Sequence, residues 1–342
     1  MKKFEGYTHG INLGGWLSQC DNTLDTYENF IKEEDFQRIS EWGLDHVRIP
    51  VDYDLVEYRD GSCRKEGYRY LDNAIEWAGK YGLNAIIDLH KTFGFSFDDG
   101  ENEEGFFDSE ACQKRFYALW EGFARRYGKY HERVAFELLN EVTDPCYSDT
   151  WNRIAAECIG RIRKICPEVR IIVGGYYNNS ITSLKDLLWP TDENMVYTFH
   201  CYNPLIFTHQ GAYWIPTMDL DFRISIDEPY SVLKEASTKQ LEWYWGDLEN
   251  CPDDEKLNCE YYDRMFEEAV KLSIERDVPL YCGEYGVVDR ADPQEILKWY
   301  RIINEAFEKH DIGRAAWNYH GKDFGLVDEH LAPVIDELRK LL

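Results

Sequence analysis

The chain reads as an α/β protein folded as a (β/α)8 TIM barrel with an inserted subdomain after strand 6, and three observations predict this. Short apolar runs alternate with amphipathic helical stretches from one end to the other. There are eight such runs, and eight strands with helical crossovers close into a barrel more readily than they form an open sheet. The 342 residues, 44% hydrophobic and 15% aromatic, can bury a sizeable core and suit one barrel carrying an insertion. One catalytic domain spanning 1–342 is the simplest organisation. An open doubly wound sheet is the alternative, but its G-x-G-x-x-G phosphate turn is missing.

The strands are expected at 10–13, 46–50, 85–89, 134–139, 171–174, 196–200, 280–283 and 315–318. The fourth is apolar almost throughout and then ends in Asn140 and Glu141, as a buried parallel strand does where it emerges. Helices lie between the strands, on patterns such as Tyr70-Leu-Asp-Asn-Ala-Ile-Glu-Trp-Ala78. The rhythm breaks once, over 204–260, before a helix expected to start near Tyr261; that stretch is too long for an ordinary βα loop. It is read as an inserted subdomain on the C-terminal face, walling the substrate cleft with Trp214, while Trp243 and Trp245 serve the insertion's own aromatic core.

A formal net charge of −26 repels phosphate backbones and anionic membrane surfaces, so no nucleic-acid partner and no membrane partner is expected. A neutral saccharide is not penalised by that charge, whereas an acidic polysaccharide is. The first ten residues carry two lysines but no apolar h-region, and no run has the length of a transmembrane helix. A cytoplasmic location is the expectation for the chain as it stands, and a secreted one if an upstream signal has been removed. Of the ten cysteines none is spaced C-x-x-C and several sit in apolar runs, so reduced thiols are expected; the one pairing considered is Cys251 with Cys259. Neither a compact H-x-x-x-H nor a Cys/His ligand spacing is present, and neither metal nor cofactor is expected.

The chemistry is written at the strand ends. Glu141 and Glu284 each close an apolar run, and a pair of carboxyls is what a retaining glycoside hydrolase needs across a sugar bond. Arg48, His90, His200 with Tyr202, and Trp317 stand at other strand ends. Each alone is an ordinary rim or structural residue; together they converge, because barrel closure gathers the strand ends.

These residues fall within motifs that resemble glycoside hydrolase family 5, the cellulase-like (β/α)8 retaining enzymes: Gly10-Ile-Asn-Leu-Gly-Gly-Trp16, His46-Val-Arg-Ile-Pro50, Asp88-Leu-His90, Glu137-Leu-Leu-Asn-Glu141, His200-Cys-Tyr202, Gly283-Glu-Tyr-Gly286 and Trp317-Asn-Tyr319. They span nearly the whole chain in the family's order, and they resemble those of the clostridial endoglucanase C type. The resemblance implies Glu141 as acid/base, Glu284 as nucleophile and Asn140 as partner of the sugar 2-hydroxyl. It further implies that Arg48 and Tyr202 orient the nucleophile, that His90 and His200 line the central subsite and that Trp317 is its aromatic platform. Lys91 departs from the family's second His and brings a cation toward the glycone side. The expected substrate is a β-linked oligo- or polysaccharide, with endo-acting cleavage of β-1,4 or mixed-linkage glucan, and no obligate protein partner is expected. The alternatives are an exo-acting β-glucosidase or β-1,3-glucanase, a mannan-directed enzyme and, more remotely, a non-catalytic carbohydrate-binding barrel.

Overall fold

The computed structural model describes residues 1–98, 103–241 and 246–342. Eight parallel strands, each paired with the next and the last with the first, close a barrel: β1 (His9–Asn12), β2 (His46–Asp52), β3 (Asn84–Lys91), β4 (Val134–Glu137), β5 (Arg170–Val173), β6 (Met195–His200), β7 (Leu280–Tyr285) and β8 (Gly313–Ala316). All eight expected strands are present. β8 ends at Ala316 rather than 318 because Asn318 leaves the ladder to clamp the turn after β1: its Oδ1 accepts from the Gly14 N–H at 2.9 Å and its Nδ2 donates to the Gly14 carbonyl at 3.0 Å.

Alternate residues of each strand face the barrel axis. At the bottom the inward layer is mostly apolar, with Ile86, Ala135, Ile172, Val196, Tyr281 and Ala315 packed around Phe4 and Tyr7 from the N-terminal segment, and with buried His46 2.8 Å from the Tyr281 hydroxyl. Phe4 and Tyr7 stack with centroids 4.1 Å apart and plug the floor. One residue pair further along the strands the inward side chains become polar, and the site begins there.

The outward faces pack against helices including Tyr68–Lys80, Glu110–Tyr127, Ser148–Arg163, Cys259–Arg276 and Pro293–Lys309, with Trp120, Trp151 and Trp299 fully buried beneath them. After β5 the crossover departs from the expected rhythm. It is a left-handed turn through Tyr177, Asn178 and Asn179, with φ of 50°, 56° and 55°, followed by a 3-10 segment Ile181–Asp186.

The stretch 204–260 contains helices Leu205–Thr208 and Tyr230–Gln240, and the following helix starts at Cys259, two residues before Tyr261. Its Phe207, Ile215, Tyr230 and Leu248 belong to the same apolar cluster as the barrel helices. Trp243 and Trp245 lie outside the described residues. Cys251 and Cys259 are free thiols, like the other eight cysteines. Among the described residues no helix is long and apolar enough to cross a membrane.

Candidate active site

Strand alternation delivers most of the site, and a break in alternation delivers its key carboxylate. On β3, Ile86, Asp88 and His90 point inward in succession; on β4, Ala135 and Glu137 do so. On β7 the same rule would aim Tyr281, Gly283 and Tyr285 inward and Glu284 outward. One extra residue is accommodated between Cys282 and Glu284 relative to both neighbours: Phe199 and His200 pair with Cys282 and Glu284, while Arg314 and Ala316 pair with Cys282 and Tyr285. This bulge turns Glu284 into the barrel and sends Tyr285 out against Trp299, Tyr300 and Phe307. Gly283 gives the bulge room, since a Cβ there would stand 3.0 Å from Thr198 Oγ1 and 3.1 Å from His200 Nε2, and both side chains would have to shift.

Arg48 organises the floor of the site. Fully buried, it donates through Nε and Nη2 to both oxygens of Glu137 at 2.7 and 3.0 Å, and through Nη1 to Asn12 Oδ1 at 2.9 Å and Glu284 Oε1 at 2.7 Å. Its Nη2 also donates to Asn140 Oδ1 at 2.9 Å and lies 3.0 Å from Asp88 Oδ2. Removal from water would favour a neutral guanidine, but Asp88, Glu137 and Glu284 outweigh it and hold Arg48 charged. Three buried carboxyls face this one cation. Burial raises the pKa of Asp88 to about 7 and raises that of Glu137 as well, against the pull of Arg48 in each case. The second oxygen of Glu284 accepts from the Tyr202 hydroxyl at 2.8 Å, so each oxygen has its own donor.

Glu141 sits at a left-handed turn, φ 39°, just beyond β4. Asn178 Nδ2 donates to its Oε2 at 2.9 Å, and His200 Nδ1 lies 2.6 Å from its Oε1. Burial raises its pKa to about 7. The same burial depresses His200 to about 4 and His90 to about 3, so both imidazoles are neutral at physiological pH. One oxygen of Glu141, one of Glu284 and a ring nitrogen of His200 all lie within 4.8 Å of one another.

Trp317 stands parallel to His90, with ring centroids 5.7 Å apart and 4° between the planes. Gly14 leaves room for its indole, as a Cβ there would come within 2.5 Å of the ring. His90 Nδ1 is 2.6 Å from Asp88 Oδ2, which fixes the ring, while His90 Nε2 and Asn140 Nδ2 have no partner among the described residues. Buried polar atoms of that kind are where a sugar hydroxyl is read.

The structure therefore brings Arg48, His90, Asn140, Glu141, His200, Tyr202, Glu284 and Trp317 into one connected cluster. Trp214 lies at its edge: 39% exposed, it contacts His209 and Phe324, and Phe324 in turn packs with Trp317 and Tyr202. Lys91 pairs with Asp52 at 3.4 Å, and Asp52 also accepts from Ser18 at 2.7 Å, so this cation is engaged by the β1–β2 side of the barrel rim. Sequence reasoning passed over Asn12, Glu137, Asn178 and Asn179. For Glu137 a signal existed, because an acid inside an apolar run demands a buried cation and Arg48 interrupts another such run. Asn178 and Asn179 carry no comparable mark.

A model of the cellulase family, glycosyl hydrolase family 5, matches residues 6–323. The chain belongs to that family. It is 46% identical over 314 residues to cellodextrinase A of Ruminococcus flavefaciens, covering 92% of this chain and 86% of the relative. It is 37% identical over 338 residues to endoglucanase C of Acetivibrio thermocellus, covering 97% of each. Among solved structures, Cel5A of Thermotoga maritima in complex with mannotriose superposes with a TM-score of 0.77 at 29% identity, over 98% of this chain and 97% of that one. This glycoside hydrolase thus shares its barrel with family 5 enzymes, as its motifs lead one to expect.

Proposed function

We propose that the protein hydrolyses β-1,4-linked or mixed-linkage glucan with retention of configuration, Glu284 acting as nucleophile and Glu141 as acid and then base. The carboxylate of Glu284 attacks the anomeric carbon; the bond to the leaving sugar breaks and that oxygen takes the proton of Glu141. Water then gives its proton to Glu141 and attacks the same carbon, releasing Glu284 from the ester. The observation that carries this reading is the separation of the two carboxyls: facing oxygens within 4.8 Å leave no place for a water between Glu284 and the anomeric carbon. Inverting sites hold theirs about 6.5–9.5 Å apart. Glucan as substrate is supported by relatives named as a cellodextrinase and an endoglucanase. Trp317 supplies the sugar platform, and Asn140 Nδ2 and His90 Nε2 offer open hydrogen-bonding positions beside it.

Proton NMR of the first products, across glucan, mannan and xylan oligosaccharides, tests both halves. The β-anomer is expected first, from glucan. An initial α-anomer sinks the retaining mechanism, and a preference for mannan sinks the substrate.

A further inference from the structure

Glu141 has a neighbour that the two-glutamate mechanism does not require. Asn178 Nδ2 reaches Oε2 at 2.9 Å from the turn after β5, where Tyr177, Asn178 and Asn179 are all left-handed, as Glu141 itself is. The two turns are stapled together: the Tyr177 N–H donates to the Thr143 carbonyl and the Asn178 N–H to the Val142 carbonyl, both at 3.1 Å. Four non-glycine residues in this sparsely populated region, in two joined loops, mark a place where backbone strain is kept for a geometry. Asn is a residue type that tolerates the conformation and still carries an amide donor.

We propose that Asn178 is a positioning residue that lets Glu141 exchange roles: its amide keeps Oε2 an acceptor, confines the transferable proton to Oε1, and steadies the carboxylate once that proton has left. The proposal rests on the acid/base reading of Glu141. Other groups press on the same carboxyl: His200 from β6, Glu284 and Tyr202 from the nucleophile side, Arg48, Asp88 and Glu137 from below, and Asp98 from the loop after β3. From the β5 side the neighbour is the neutral amide. After burial, which drives Glu141 toward its protonated form, the Asn178 hydrogen bond is the strongest influence and acts in the opposite direction.

Two variants test this without disturbing the turn. Asn178→Gly keeps the left-handed backbone and removes the amide; Asn178→Asp keeps the size and sets a carboxyl against Glu141. Loss of a donor to the carboxylate raises the pKa of Glu141. The alkaline limb of kcat/KM is therefore expected to move up by about half to one pH unit in the Gly variant and further in the Asp variant. With a dinitrophenyl glycoside, whose turnover is limited by hydrolysis of the glycosyl-enzyme, kcat at pH 6 is expected to fall about tenfold and KM with it, leaving kcat/KM nearly unchanged.

If both variants keep the wild-type alkaline limb and lose activity evenly at every pH, Asn178 is only a packing residue. Glu141→Ala with azide, run beside them, separates the two readings. Azide rescue with unmoved limbs overturns the role of Asn178 alone, whereas failure of rescue overturns the acid/base assignment beneath it.

Discussion

At the scale of single residues, the site consists of carboxyls whose environments have been pushed apart. Glu284 has one donor on each oxygen, from Arg48 and Tyr202, which fix the carboxylate in the orientation the proposed nucleophile needs. Glu141 is buried beside a neutral imidazole, and its pKa is raised to about 7. Glu284→Gln is expected to abolish turnover in a correctly folded protein, because an amide cannot attack the anomeric carbon; wild-type-like rates would end that assignment. Glu141→Ala is expected to retain glycosylation by substrates with good leaving groups, and azide is expected to restore turnover as a β-glycosyl azide. The raised pKa carries its own sign. The acid form is the competent one for the first step, so kcat/KM should hold below pH 7 and fall above it, with a midpoint near 7. A profile flat to pH 9 would mean that Glu141 is not the proton donor. Both glutamates, Arg48, both histidines and Trp317 were visible in the sequence because each closes or interrupts an apolar run. Asn178 was invisible, since its contact with Glu141 depends on two left-handed turns that leave no periodic trace.

At the scale of elements, the eight strands could be placed because a parallel strand covered on both faces reads as an apolar run. The register within them could not. Period-two alternation places Glu284 outside the barrel, and only the bulge shared with β6 and β8 brings it in. The crossover after β5 likewise escaped, being a short irregular turn rather than a periodic helix. The segment 204–260 was detectable by its length alone, yet its relation to the cleft comes through contacts: Trp214 touches Phe324, which packs with Trp317 and Tyr202. The exposed indole in that position is proposed as a platform for sugars beyond the central subsite. Trp214→Ala is expected to cost about 1–2 kcal/mol in kcat/KM on longer oligosaccharides and little on a small aryl glycoside, with the melting temperature nearly unchanged. A uniform loss on all substrates together with a lower melting temperature would make Trp214 a packing residue instead.

At the scale of the whole molecule, catalytic and stabilising functions occupy opposite ends of one barrel. Phe4 and Tyr7 close the bottom with aromatic packing, where buried His46 is held between Asp45 and the Tyr281 hydroxyl, and the carboxyls of the site lie in the upper layers, where strand ends converge. The surrounding charge is of one sign: 64 acidic against 38 basic residues. Such a field leaves a neutral glucan indifferent but opposes any substrate that carries anions, and it is screened within a Debye length of about 8 Å at physiological ionic strength. Carboxymethylated and unmodified soluble β-glucans of matched length separate this effect from fit in the cleft. Raising salt from 10 to about 300 mM is expected to lower KM several-fold for the carboxymethylated polymer and to leave KM for the neutral one unchanged, with kcat constant for both. Equal salt responses for the two polymers would show that the global charge does not reach the cleft, and that the acids of the surface are screened before a substrate arrives.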